Sequence, residues 1–259
     1  MKYLLLTLIL CFCICCYQRE SLINHPYRVY ASLTSIPPRL EKSQKTIDSL
    51  LNQSYSIDRI FLNIPYGRHE RSAMDYFIPQ FLNDPRYADR VTVVRCPEYG
   101  PATKLLGSIP QIRDPDAFIY VIDDDMVYPS DHLAKLMKQV DPSTDVVTNP
   151  LCHANRDYKK GVCGNYGFIV RRRVLDGIYD FYNSMPKSCY TVDDMWMGLY
   201  LHKRTPHIKT APKGNAFKLY LQNVWQNTVD SHRLKTGLRA TVNQGDNNYK
   251  CLKDYDTTI

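Results

Sequence analysis

Three consecutive carboxylates, Asp123, Asp124 and Asp125, follow directly on the run Phe118-Ile119-Tyr120-Val121-Ile122. That run is apolar or aromatic and rich in β-formers, so it reads as a buried strand. Carboxylates this close repel one another, and a bare cluster at a strand end is costly without positive charge beside it. A hard divalent cation, shared between one or two carboxylates and the phosphates of a substrate, would supply that charge. In a strand-like continuation Asp123 and Asp125 point one way and Asp124 the other. One pair is then free for a metal–nucleotide site while the middle residue faces the protein. The competing reading is a solvated acidic turn, which Asp also favours. A second acidic pair, Asp193-Asp194, opens the run Met195-Trp196-Met197-Gly198-Leu199-Tyr200. It reads as a helix start, where the macrodipole alone would favour negative charge.

The elements that must position these groups alternate between strand and helix. Arg28 to Leu33 reads as a first strand, broken by Pro37 and Pro38. From Leu40 to Leu51 the apolar residues fall on one helical face, an amphipathic helix, and Ile57 to Ile64 reads as a second strand. Strand, helix and strand in this span make a βαβ unit with a right-handed crossover. Residues 71–82 look helical apart from Pro79. Val91 to Val94 is a third strand, and Gly100-Pro101-Ala102-Thr103-Lys104 opens the next helix. The strand before the three aspartates is followed by a helix from Ser130 to about Val140, with Asp131 in its first turn, and by a short strand over Asp145 to Thr148. Then come a glycine-bearing loop through Gly164-Asn165-Tyr166-Gly167, a strand at Phe168-Ile169-Val170 and a helix from Arg171 to Tyr182. From about Pro206 the chain reads as irregular. The alternation predicts an α/β fold with a mostly parallel central sheet.

A chain of 259 residues that is 44% hydrophobic can bury one sizeable core. We expect a single domain over 21–259, with a nucleotide-binding half over about 27–150 and an acceptor half over about 151–259. The formal charge of +7 is spread along the chain, and Arg171-Arg172-Arg173 is its one dense run. Nucleic-acid binders concentrate positive charge on one face, so no nucleic-acid partner is expected. Twenty tyrosines and eleven glycines argue for an ordered chain.

Met1-Lys2 precedes a fourteen-residue stretch, Tyr3 to Cys16, that is apolar but for Thr7. This is short for a spanning helix and of signal-peptide length, yet no small-x-small cleavage site follows. Residues 1–20 read as an uncleaved signal anchor, with Cys11, Cys13, Cys15 and Cys16 open to palmitoylation; a cleaved signal peptide is the alternative. Either one places the body in a secretory lumen or outside the cell, membrane-linked in the first case and secreted in the second. Of nine cysteines, Cys96, Cys152, Cys163, Cys189 and Cys251 remain beyond that segment. One or two disulfides with at least one thiol left over are expected. Asn52-Gln53-Ser54 is an N-glycosylation acceptor by sequence, inside the predicted helix.

The stretches SLTSIPPR, GPATK, VIDDDMVYP and VDDMWMG, in this order, resemble GT-A-fold glycosyltransferases of a viral and bacterial group related in layout to family-two and exostosin-like transferases. The resemblance runs from about Arg28 to Tyr200. It implies a Rossmann-like nucleotide-diphospho-sugar transferase fold, Mn²⁺ or Mg²⁺ as cofactor, a nucleoside-diphosphate sugar (UDP-linked) as donor, and a glycan or glycoprotein acceptor. By the same resemblance Asp123 contacts the ribose and Asp125 holds the metal, with Asp123 and Asp124 in the nucleotide-sugar site. Thr34, Ser35 and Arg39 lie where such enzymes hold base and ribose. Lys104 approaches a phosphate or braces the aspartate loop. Gly164, Asn165, Tyr166 and Gly167 match the loop framing donor sugar and acceptor. Asp193 and Asp194 match the acidic pair that in inverting members supplies a general base, Asp194 being the base and Asp193 contacting the acceptor. Trp196 either lines the acceptor site or sits in the core. Among His202, His207 and His232, His232 is the candidate for a late metal ligand.

Two other readings compete. A nucleotidyltransferase shares the sheet and the acidic site but would carry a glycine-rich first loop, which Thr34 to Arg39 lacks. A secreted glycan-binding protein would keep the fold without catalysis. A glycoside hydrolase would use two carboxylates without a metal.

Overall fold

The computed structural model describes residues 26–69, 72–149, 162–215, 218, 219, 221, 223 and 244–256. Seven strands form one sheet: β1 (Val29–Thr34), β2 (Arg59–Pro65), β3 (Val91–Cys96), β4 (Phe118–Val121), β5 (Val146–Thr148), β6 (Phe168–Arg171) and β7 (Ile208–Thr210), in the order β3-β2-β1-β4-β6-β5-β7. β3, β2, β1 and β4 pair in parallel, as do β5 and β7. β6 runs against both of its neighbours, β4 and β5. The expected α/β fold with a mostly parallel sheet is therefore present, with one reversed strand.

β4 explains the placing of the sheet. Phe118, Tyr120 and Ile122 enter a core shared with Leu33, Leu50 and Leu133, while Ile119 and Val121 enter one shared with Leu105, Phe168 and Trp196. A strand covered on both faces needs an unbroken apolar run rather than an alternating one.

The helices whose bounds fall among the described residues are α1 (Gln44–Leu51), α2 (Pro85–Ala88), α3 (Thr103–Leu106), α4 (His132–Met137), α5 (Ile178–Ser184), α6 (Asp193–Arg204) and α7 (Gln244–Asp256). Several differ from expectation. Two 3-10 turns, Pro37–Arg39 and Glu41–Ser43, replace the first turns of the helix expected from Leu40. Residues 72–79 are not helical: Arg68 bridges Asp75 across a closed loop, and only Gln80–Asn83 forms a 3-10 turn after Pro79. Proline inside a helix removes a donor and clashes with the preceding turn. Asp131 stands just ahead of the shortened α4 without capping it, and pairs with Lys135 and Lys218. Arg171 belongs to β6, and the helix expected from it is split by Gly177, whose φ of +89° a side chain would resist. The sequon residue Asn52 lies just past α1, exposed, rather than inside it.

The arginine run is a structural network. Arg171 is buried between the rings of Tyr27 and Phe118 and pairs with Asp116 and Asp145, and Arg173 shares both carboxylates. The C-terminal region is also more ordered than its polar composition suggests. α7 is bonded to the 3-10 turn Lys187–Cys189 through the Cys189–Cys251 disulfide, and Ser188 donates to Asp254 at 2.6 Å. Cys163 is disulfide-bonded as well, and Cys96 is a buried free thiol. No helix among the described residues is long and apolar enough to cross a membrane; the N-terminal apolar segment lies outside them.

Candidate functional site

The carboxyl ends of the parallel strands β1 and β4 meet at one edge, where ligands bind in open α/β sheets. β4 delivers Asp123, Asp124 and Asp125 there, and β1 delivers Thr34 and Ser35. Asp124 is turned inward as the strand phase predicts. Its carboxylate accepts hydrogen bonds from the Ser35 hydroxyl and from Arg39 Nη2 at 2.8 Å. Asp123 and Asp125 stay partly open, their side chains 30% and 22% exposed. Arg39 also reaches Asp125, at 3.4 Å.

α1 fastens the backbone of this loop. Thr46 Oγ1 lies 2.7 Å from the carbonyls of Asp124 and Met126, which share its one proton. Ser49 Oγ accepts from the Tyr128 N–H, and Gln53 donates to the Pro129 carbonyl at 2.8 Å. Thr46 and Ser49, three apart, lie on one face of α1, and Gln53 follows just past its end. None of these three supports was expected from the sequence, although that polar stripe is a signal for them.

The second half of the site is gathered by Lys104 from α3. Its ammonium lies 2.7 Å from Asp123, 2.8 Å from Asp193 and 3.2 Å from Asp194, with only 6% of the side chain exposed. Gly164 closes the ring: its N–H donates to Asp194 Oδ1 at 3.0 Å and its carbonyl accepts from the Asp123 N–H at 3.2 Å. A Cβ on Gly164 would run into the Lys104 ammonium and come within 2.6 Å of Asp123.

Burial works against the charge on Lys104, but Asp123, Asp193 and Asp194 more than offset it and hold the ammonium well above its ordinary value. Burial and the neighbouring Asp193 and Asp123 push Asp194 up to about 7, against the pull of Lys104. Asp193 is raised too, first by burial, while Lys104 opposes. Burial takes Asp124 up to about 6, with Arg39 pulling it down. Asp194 is 36% exposed by side chain and Asp193 only 5%, so of the pair Asp194 is the one a substrate can reach.

These residues fit a divalent cation completed by phosphate oxygens. Five carboxylates face two cations, Lys104 and Arg39, a formal excess of three negative charges that an anionic substrate alone would worsen. Among the described residues no three His, Cys, Asp or Glu side chains form a metal cage by themselves. A hard cation held by one or two carboxylates and substrate phosphates needs none.

The remaining expectations fall as follows. Ser35, 2% exposed, and Asp124, 5% exposed, face inward and bond to each other inside the loop. Thr34 is half-buried and donates to the Asn63 carbonyl at 2.8 Å. Lys104 pairs with Asp123 of the aspartate loop and with both carboxylates of the later acidic pair. Asn165 and Tyr166 are half-buried beside Gly164 in a 3-10 turn, and Gly167 ends that turn at a φ of +66°. Trp196 does not line an open site: it is wholly buried against Phe181 and Tyr182. It lies three residues after the buried Asp193, on the same helical face. His232 lies outside the described residues.

No protein-family model and no curated protein matches the sequence. Among solved structures, the chain is similar to 4-diphosphocytidyl-2C-methyl-D-erythritol synthase from Anaerococcus prevotii at 14% identity, covering 76% of this chain and 99% of that one with a TM-score of 0.50. It is similar to TarS from S. aureus in complex with UDP-GlcNAc at 13% identity, covering 71% of this chain and 55% of that one, again with a TM-score of 0.50. A mannosyltransferase from Pyrobaculum calidifontis, in complex with GDP-Man and Mn²⁺, aligns at 16% identity over 90% of this chain and 74% of that one with a TM-score of 0.48. Identities this low show the fold, which is that of GT-A structures, and leave activity to the site.

Proposed function

We propose that the chain is a metal-dependent glycosyltransferase that moves a sugar from a nucleoside-diphosphate sugar, UDP-linked, to a glycan hydroxyl. The observation that carries the reading is the Lys104 junction, which sets the strand-end carboxylate Asp123 beside the reachable, raised carboxylate of Asp194, with Asp125 two residues further along the same loop. Bound at Asp123 and Asp125, Mn²⁺ or Mg²⁺ would neutralise charge on the departing nucleoside diphosphate. Asp194 takes the proton of the acceptor hydroxyl as its oxygen bonds to the sugar carbon and the bond to the diphosphate breaks. A base whose pKa lies near the working pH suits that step. Asp193 holds Lys104 in place, and Arg39, tethered to Asp124, has its second contact on Asp125 available for exchange with a phosphate. The N-terminal apolar segment and the disulfides support a body on the lumenal or outer face of a membrane.

A nucleotidyltransferase is the second reading, favoured by the likeness to the diphosphocytidyl synthase. One experiment separates the two. The full chain is incubated with UDP-sugars, GDP-sugars and nucleoside triphosphates, with Mn²⁺ or with EDTA. Metal-dependent release of a nucleoside diphosphate, abolished in Asp125→Ala and reduced about 10²- to 10⁴-fold in Asp194→Asn, supports the transferase. Pyrophosphate release from a triphosphate would replace it with the alternative. Failure of the wild type to bind any of these nucleotides with Mn²⁺ would sink both.

A further inference from the structure

Tyr128 lies three residues beyond the aspartates, is 2% exposed and has no place in the reaction just described. Its hydroxyl nevertheless stands where the two halves of the site meet. It accepts from the Asp123 N–H at 3.3 Å and donates to the Gly164 carbonyl at 3.1 Å, with the Asn165 carbonyl at 3.4 Å. Its own N–H is fixed by Ser49 at 3.1 Å. The ring packs edge-on to Tyr120 and against His132, whose Nδ1 is 2.7 Å from the Tyr120 hydroxyl. The ring therefore has little freedom, and its oxygen is a fixed point between the segment at Asp123 and the segment at Gly164, the latter 36 residues beyond Tyr128 itself. Gly164 passes that constraint on, because its N–H holds Asp194.

We propose that Tyr128 is a positioning residue whose hydroxyl sets the spacing between the metal-facing carboxylate Asp123 and the Gly164 loop that holds the base Asp194. The inference rests on the transferase reading. It touches no reacting atom and acts through the backbone on either side. Removing the hydroxyl leaves the direct Asp123 N–H to Gly164 carbonyl bond of 3.2 Å, so the fold is retained while the junction loosens.

The test compares Tyr128→Phe with Tyr120→Phe in the full chain, by titrating Mn²⁺ with UDP and with GDP calorimetrically and by measuring kcat and KM for donor hydrolysis. Tyr120 is equally buried in the same cluster, but its hydroxyl serves His132. A lost hydrogen bond is worth about a two- to twelvefold change in an equilibrium. Tyr128→Phe is therefore expected to weaken Mn²⁺–nucleotide binding by about that factor and to lower kcat, while Tyr120→Phe leaves Kd where it was. A merely structural role would lower the number of binding sites and leave Kd and KM alone, and that result would overturn the proposal. So would equal Kd values in wild type and Tyr128→Phe. If wild type binds neither nucleotide with Mn²⁺, the transferase reading fails first and takes the proposal with it.

Discussion

Replacing Lys104 with Met keeps the length and apolar packing of the side chain and removes one charge. The ammonium is the sole cation among the described residues within 4 Å of Asp193 and Asp194. Removing one partner of a buried ion pair costs about 3–5 kcal/mol, because the charge left behind has no compensation. At about 2–4 °C per kcal/mol for a domain of this size, melting should fall on the order of 10 °C at pH 8 in EDTA. The deficit has a sign in pH. Asp193 and Asp194 are already raised in the folded state, and loss of Lys104 raises them further. The folded variant thus binds protons that the unfolded chain does not, so its stability recovers as pH falls through the folded values. One extra proton returns about 1.36 kcal/mol per pH unit. Between pH 8 and pH 6 the variant gains about 2.7 kcal/mol, while the wild type, whose Asp194 at about 7 takes up a proton over the same range, gains about 1.4 kcal/mol, so about a quarter to a half of the deficit closes. Urea titrations of both proteins at the two pH values read this directly. An equal deficit at both would mean lost packing rather than lost charge, and no deficit at pH 8 would remove Lys104 as the counter-ion.

Gly164→Ala should cost about 1–3 kcal/mol by overpacking and abolish Mn²⁺-dependent nucleotide binding, since the new methyl group meets Lys104 and Asp123; a variant that binds normally would refute the tight junction. His132 is buried, which takes it down to about 3, with Lys135 adding to the shift. Below its ordinary value of 6.5 the unfolded chain takes up a proton that the folded one refuses, so at pH 5 His132 should cost about 2 kcal/mol of stability. His132→Gln should lack that loss when urea midpoints are compared at pH 7.5 and pH 5. Cys189→Ser should cost about 2–5 kcal/mol and lower the turnover measured with saturating donor, because the turn tied to α7 leads directly into Asp193; unchanged melting and turnover would show the disulfide to be dispensable.

The inward turn of Asp124 was legible from the strand phase alone, because a period of two survives past the end of β4. The pairing of Lys104 with Asp193 and Asp194 was not, since no local pattern joins residues about ninety apart, and only the reversed strand β6 and the start of α6 bring them together. The burial of Ser35 was not legible for a related reason, since its partner Asp124 lies 89 residues further along the chain. Trp196 could have been placed by counting three residues from Asp193, had it been known that Asp193 is the buried member of the pair. α7 escaped notice because its apolar contacts are few, Leu252 and Tyr255 beside the bonded Cys251, and pairing among the cysteines cannot be read from spacing.

The antiparallel pairing of β4 with β6 has a mechanical side. Val121 faces Phe168 at the end of that ladder, so the loops carrying Asp123 and Gly164 leave it together, like the open end of a zipper. Pulling them away from each other breaks the ladder one rung at a time, the easy way to peel one strand from its neighbour, and this end should fray first. A nucleotide and cation that grip both loops would act as a clasp across the opening. Amide hydrogens of β4 and β6 should then exchange more slowly with ligand bound, and occupancy of the site becomes a term in the cohesion of the whole sheet.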